Sequence, residues 1–209
     1  MNSILLIGYS GHAYVICDIF ESIGRKVVGY CENEYKDYDP FELTYHGREL
    51  SKEGLAALKA NDYFIAIGSG KIREIIQSKL TEKGVKAPTN ALHTSAVIAA
   101  SVQLGKGVMV AARATINPLA IIGDNVICNT GCVIEHENRI GDYSHVGPGA
   151  VLCGNVWIGR QSFIGANAVV KQGIKIGNNV TIGAGAVIIK DVPDNTVVVG
   201  NPQRVIRTV

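Results

Sequence analysis

Starting at Ile98 and taking every sixth residue, the chain reads Ile98, Leu104, Val110, Ile116, Ile122, Cys128, Ile134, Ile140, Val146, Leu152, Ile158, Ile164, Val170, Ile176, Ile182 and Ile188. The register never slips. Four residues after these aliphatics stand compact ones such as Val108, Ala114, Cys132, Ala150, Ala168 and Ala186, and glycine often follows directly, as in Ile140-Gly141 and Ile158-Gly159. A helix needs an apolar period near 3.6 and a strand a period of 2, so a strict six fits neither. It fits a hexapeptide parallel β-helix. Each unit supplies one short strand and one corner, and three units close an eighteen-residue coil of a triangular prism whose interior the aliphatics fill.

Outside this array the chain reads differently. Residues 1–90 suggest a Rossmann-like α/β domain and 91–209 a β-helix domain with a C-terminal cap. Ile4 to Ile7 reads as a buried strand, and a helix is expected from Ala13 to about Ile23, stopped at Gly24. A second strand spans Lys26 to Cys31. A polar, Tyr-rich excursion precedes a third strand over Tyr63 to Ile67 and a helix from about Lys71 to Lys83. That order, βαβ…βα, implies a parallel sheet with glycine turns at strand ends. Lys86 to Ala91 reads as a linker, and the tail beyond Val192 leaves the hexad register to cap the solenoid.

Composition narrows the function classes. A net charge of +2 suggests no nucleic-acid partner, and no stretch has the length and apolarity of a membrane span or the flanks of a signal peptide. The five cysteines lack paired metal spacing, and Cys128 and Cys132 fall on inward positions of the prism. A reduced, cytoplasmic protein without a metal is the expectation.

Two places carry chemistry. Gly8-Tyr9-Ser10-Gly11-His12 feeds a helix N-terminus, where backbone N–H groups and the helix dipole favour an anion. Glu32-Asn33 ends the second strand some twenty residues on, where a ribose or base contact is expected, and Gly68-Ser69-Gly70 ends the third. Ninety residues hold only half of a dinucleotide fold, so a mononucleotide-sized ligand fits better; a purely structural turn is the alternative. Within the prism the pattern weakens once, at Cys128 to Arg139, where Asn138 takes a place otherwise small or aliphatic. His136 stands near a corner and points outward by register. Eighteen residues on is Gly154, so the imidazole has open space and a backbone N–H beside it. Imidazole suits proton transfer near neutral pH, and Glu135 or Glu137 can orient it if the corner bends. The alternative is a solvated surface histidine. His145 stands between a surface or inter-subunit residue and a cofactor contact, and His46 and His93 have no suggested partner.

The Gly8-x-x-Gly11-His12 turn in a small α/β domain, together with Ile134-Glu135-His136-Glu137 and Ile140-Gly141-Asp142-Tyr143-Ser144-His145 in a hexapeptide β-helix, resembles the sugar O/N-acetyltransferase family of hexapeptide acyltransferases. That family includes PglD-like N-acetyltransferases of UDP-4-amino sugars, perosamine N-acetyltransferases and NeuD-type O-acetyltransferases. The resemblance implies a left-handed β-helix, and a homotrimer with acetyl-CoA lying between subunits. It further implies His136 as general base oriented by Glu137, and the Gly154 N–H as oxyanion donor. His145 would contact acetyl-CoA, Ala166 and Ala184 would admit its pantetheine, and Lys171, Lys190 or Arg204 would meet its phosphates. Gly8, Ser10, Gly11, His12 and Gly68 would cradle a nucleotide-sugar, with Asn129 near the acceptor sugar. Glu32-Asn33 replaces two aspartates of the UDP-sugar members and leaves the base open. Amine and hydroxyl acceptors need the same base and oxyanion donor, so a sialic acid-type O-acetyltransferase and a non-catalytic scaffold with a ligand-sensing domain are the competing readings.

Overall fold

A computed structural model describes residues 3–208. The first part is a four-stranded parallel sheet. Strand β1 (Ile4–Ile7) leads to helix α1 (Gly11–Ser22), then β2 (Val27–Cys31), β3 (Thr44–Tyr45), α2 (Lys52–Ala60), β4 (Asp62–Ile65) and α3 (Gly70–Glu82), with sheet order β3-β2-β1-β4. The unbroken apolar run of β1 is buried on both faces, as a central parallel strand should be. Along α1, Ala13, Ile16, Cys17 and Phe20 recur at helical spacing and are buried, and Gly24 at φ 69° ends the helix. The expected βα order holds, but β3 and α2 interrupt what reads as a loop. Only Leu58 of α2 is a fully buried large side chain, and the helix is secured by Ser51, whose hydroxyl accepts the Gly54 N–H at 3.0 Å.

From Ala91 onward the chain is a left-handed parallel β-helix, with faces of five, six and eight strands. Each rung pairs in register eighteen residues on, as Ile116 with Ile134 and Ile134 with Leu152. Ile116, Ile134, Leu152, Val170 and Ile188 are completely buried along one such column. Burying one such side chain contributes about 1.5–3 kcal/mol. Corners have a second six-residue signature: every sixth residue from Gly107 to Gly185 has positive φ, with Gly at five of those places and Asn at four.

Both ends extend the array beyond the sequence reading. The first rung is Ala91–Leu92, one hexad before Ile98 and starting at the last residue of the expected linker. At the far end Ile182 pairs with Val198, sixteen residues on, because one corner has lost two residues; Val192 and Val198 then resume the core. The final strand, Arg204–Thr208, runs antiparallel along that last rung.

The two parts share packing. Ala91, Met109 and Ile127 stand on outward positions of one prism face yet are fully buried, in one apolar cluster with Ala13, Ile16 and Phe20 of α1. Residues 86–90 are held too: the Tyr63 hydroxyl donates to the Lys86 carbonyl at 2.9 Å.

Candidate active site

The corner after Ile134 carries the first candidate group. Glu137 takes φ 61°, the left-handed bend that the sequence reading required, and its carboxylate swings back onto the preceding ring. Nδ1 of His136 lies 3.0 Å from Oε2 of Glu137, and both side chains are about half exposed. A carboxylate only accepts, so Nδ1 carries the hydrogen and Nε2 presents a lone pair. Gly154 stacks on His136 as expected. A Cβ on that glycine would stand 2.5 Å from Cε1 and 2.6 Å from Nε2, so the ring occupies space that only glycine leaves.

Asn138 explains the break in the apolar pattern. It is fully buried; its amide donates to the carbonyls of Glu135 at 2.6 Å and Cys153 at 3.0 Å, and accepts the Val156 N–H at 3.0 Å. With three bonds made, it braces the segments either side of His136 and Gly154 from inside the prism. Main-chain N–H groups at the His136 place in other hexads, those of Lys106, Asp124, Arg160 and Asn178, donate to a side chain of the next coil. Among the described residues no acceptor takes the Gly154 N–H.

A second group forms where α1, α3 and the prism meet. His12 and His145 approach with ring centroids 6.3 Å apart; the Asn129 amide donates to Nε2 of His145 at 3.1 Å, and Phe163 lies edge-on at 5.1 Å. Burial pushes both imidazoles down to about 4, and the nearby Arg73 guanidinium pushes the same way. His145, outward by register, is thus enclosed because the α/β part covers its face. Nε2 of His12 is buried with no partner among the described residues.

The glycine turn leaves the start of α1 open. Gly8 sits at φ 91°, and Ser10 caps α1 without a side-chain bond and without an acid in the first turn, whereas the serines capping α2 and α3 each accept a backbone N–H. Glu32 braces that turn: its carboxylate accepts the Tyr9 N–H at 3.2 Å and the Asn33 N–H at 2.8 Å. A cavity of about 200 Å³ opens at these strand ends, lined by Gly8, Glu32, Asn33, Glu49, Ile67 and Ile72 among others. Gly68 borders the joint instead. Gly70 has a packing reason: a Cβ there would collide with the Tyr143 carbonyl, so glycine lets the start of α3 touch the prism.

Sequence reasoning missed Arg73. It is 1% exposed, and its guanidinium donates only to carbonyls: Nε to Asn125 (3.1 Å), Nη1 to Ile67 (2.9 Å) and Gly68 (2.7 Å), Nη2 to Tyr143 (2.8 Å) and Ser144 (3.2 Å). Burial lowers its pKa to about 10.

Other expected residues lie apart. Ala166 and Ala184 stack on each other, but five hexads separate Ile134 from Ile164, which puts them on a different edge of the prism from His136. Lys190 shares the His136 edge, further along the axis; Lys171 and Arg204 lie toward the same end. An open groove of about 670 Å³ runs along the face bearing Arg139, Trp157 and Lys175 and includes neither His136 nor Gly154. Among the described residues no group of three or more His, Cys, Asp or Glu is placed to hold a metal ion, and no helix is long and apolar enough to cross a membrane.

Hexapeptide coils with an oriented histidine at a corner define an acyltransferase of the hexapeptide class. Residues 3–80 match the family described as PglD N-terminal domain, and residues 155–190 the family described as bacterial transferase hexapeptide (six repeats). Among solved structures, a mutant of perosamine N-acetyltransferase from Caulobacter crescentus, in complex with CoA and GDP-perosamine, is 32% identical. The match has a TM-score of 0.92 and covers 98% of this chain and 97% of that one. The acetyltransferase domain of PglB from Neisseria gonorrhoeae, in complex with acetyl coenzyme A, is 30% identical, with a TM-score of 0.90 and coverage of 98% and 99%. WeeI from Acinetobacter baumannii is 26% identical, with a TM-score of 0.84 and coverage of 98% and 99%. The chain belongs to the PglD-like sugar acetyltransferases.

Proposed function

We propose that this protein transfers an acetyl group from acetyl-CoA to the amine of a nucleotide-linked 4-amino-4,6-dideoxy sugar, in the cytoplasm, during bacterial glycan synthesis. The observation that carries the reading is the His136–Glu137 pair facing the gap above Gly154. The sugar nitrogen attacks the thioester carbonyl carbon, and its proton passes to Nε2 of His136 while Glu137 steadies the imidazolium through Nδ1. The oxygen of the tetrahedral adduct takes the Gly154 N–H, an oxyanion donor fixed in the backbone. The carbon–sulfur bond then breaks, the imidazolium returns its proton to the departing thiolate, and amide and CoA thiol result.

Residues 1–90 hold the nucleotide-sugar, with the diphosphate at Gly8, Ser10, Gly11 and His12, the base beside Glu32-Asn33, and Asn129 and Gly68 bordering the sugar. The neutral imidazole of His12 offers a hydrogen bond without needing a counter-ion, while His145 uses Nε2 to accept the Asn129 amide. Residues 91–209 hold acetyl-CoA, with His145, Ala166 and Ala184 along its path. Because Ala166 and Ala184 occupy another edge than His136, a complete site takes the two edges from adjacent copies, which is the arrangement of a homotrimer. A stripe of outward β-branched residues between those edges, including Val97 at 63% and Val169 at 36% exposed, supplies an apolar surface for that contact.

The test is CoA thiol release from acetyl-CoA with UDP- and GDP-linked 4-amino-4,6-dideoxy sugars and with free sialic acid. Turnover with a nucleotide amino sugar and none with sialic acid is expected. Turnover only with sialic acid makes the protein an O-acetyltransferase, and silence with every acceptor returns the scaffold reading.

A further inference from the structure

Arg73 is a buried cation whose bonds do not neutralise it. Buried guanidinium groups are ordinarily matched by a carboxylate or phosphate, because carbonyl dipoles satisfy the donors but leave the net charge in place. Here all five bonds run to carbonyls. The adjacent acid in the helix, Glu74, is engaged by Arg160 and Gln161. Nη1 donates to the Ile67 carbonyl, and the Ile67 side chain packs 2.7 Å from where a Cβ on Gly8 would stand, so Ile67 joins the guanidinium to the glycine turn. The same charge acts on the half-buried imidazoles of His12 and His145, and among the helices of the described residues α1, which carries His12, is the one whose cap side chain makes no bond. An unbalanced internal cation beside that turn calls for an anion on the ligand.

We propose that Arg73 is a positioning residue for the acceptor. It fastens the Gly68 turn to the Tyr143–Ser144 segment and supplies, from inside the joint, the positive charge against which the acceptor's diphosphate is held. The inference rests on the nucleotide-sugar reading above, and names the residue that holds the anion there without touching it. The two functions separate chemically, since a lysine keeps the charge and loses the fork of hydrogen bonds, while a glutamine loses the charge.

The experiment measures, on the full chain, affinity for UDP and GDP, for uridine and guanosine, and for acetyl-CoA, in the native protein and in Arg73→Lys and Arg73→Gln. Arg73→Gln is expected to weaken binding of the preferred diphosphate about ten-fold or more, equivalent to about 1.4 kcal/mol. Arg73→Lys should stay within about three-fold, and affinities for the nucleosides and for acetyl-CoA should hold in both. In turnover, Arg73→Gln should raise the nucleotide-sugar KM more than it lowers kcat. Equal losses in the two variants, or a nucleoside affinity that falls alongside the diphosphate, would overturn the proposal. If Arg73→Gln does not fold, a ten-fold loss of diphosphate affinity in Arg73→Lys overturns it alone. Failure of the native protein to bind either diphosphate would instead sink the nucleotide-sugar reading itself.

Discussion

Two histidine sites of this protein are built on opposite principles. His136 sits at an open corner with a carboxylate on one nitrogen and space on the other; His12 and His145 lie enclosed, near a guanidinium, with burial holding both uncharged. Solvent and an acidic partner let a ring take and return a proton, whereas exclusion of water and a nearby cation keep a ring a fixed hydrogen-bonding group. The contrast supports the proposal that proton transfer belongs to the prism corner and ligand orientation to the joint.

The largest effect that would break this assignment is at the corner. His136→Ala is expected to lower kcat by about 10²- to 10⁴-fold. Because the side chain is half exposed, thermal stability should change by no more than about 0.5 kcal/mol. A calorimetric midpoint and a thiol-release rate decide it. A variant that turns over normally moves the chemistry elsewhere, the joint first. A smaller effect sharpens the geometry: Gly154→Ala adds a methyl where the imidazole now lies, on a backbone free of the left-handed strain seen at Glu137. The ring must shift by several tenths of an ångström, and a loss of about ten- to a hundred-fold in kcat is expected with folding retained. Comparable loss of acetyl-CoA affinity would instead make Gly154 a binding contact.

How much of this was legible follows from the range of the interactions. The prism and its corner are written locally, since a six-residue period fixes inward and outward places, and an eighteen-residue step puts Gly154 on His136 without any knowledge of the rest. Residues 44–60 are harder. Lys52 to Ala60 offers few large apolar residues and a glycine, and α2 forms because Leu58 is buried and Ser51 caps it. The joint was the least legible part. Arg73, flanked by Ile72 and Glu74, reads as a solvated charge on a helix, and its burial depends on carbonyls more than fifty residues away, at Asn125, Tyr143 and Ser144. The available signal was on the prism: Met109 and Ile127 are apolar at outward places, which marks a covered face, and His145 lies one rung further along it.

The smallest expected effect tests the buried side of the comparison through stability. The ordinary imidazole value is about 6.5, and the folded protein holds His12 and His145 at about 4. As pH falls through 6.5 the unfolded chain takes up protons that the folded chain refuses, so unfolding becomes easier. The loss grows until about pH 4, where the folded state protonates as well, and above pH 7 these groups contribute no slope. Each imidazole accounts for a loss on the order of 3 kcal/mol at the acid limit, and a proton on His12 further disfavours one on His145. Asp62, depressed by its bonds to Lys86 and Arg25, acts lower, within the carboxylate range. Urea midpoints followed from pH 8 to pH 2 should therefore fall first between 6.5 and 4, and a His12→Gln, His145→Gln double variant should flatten that segment while leaving in place the fall below about pH 4, where Asp62 acts. An unchanged slope would mean that water reaches these rings, and the division between a proton-transfer corner and a neutral joint would fail from the joint side.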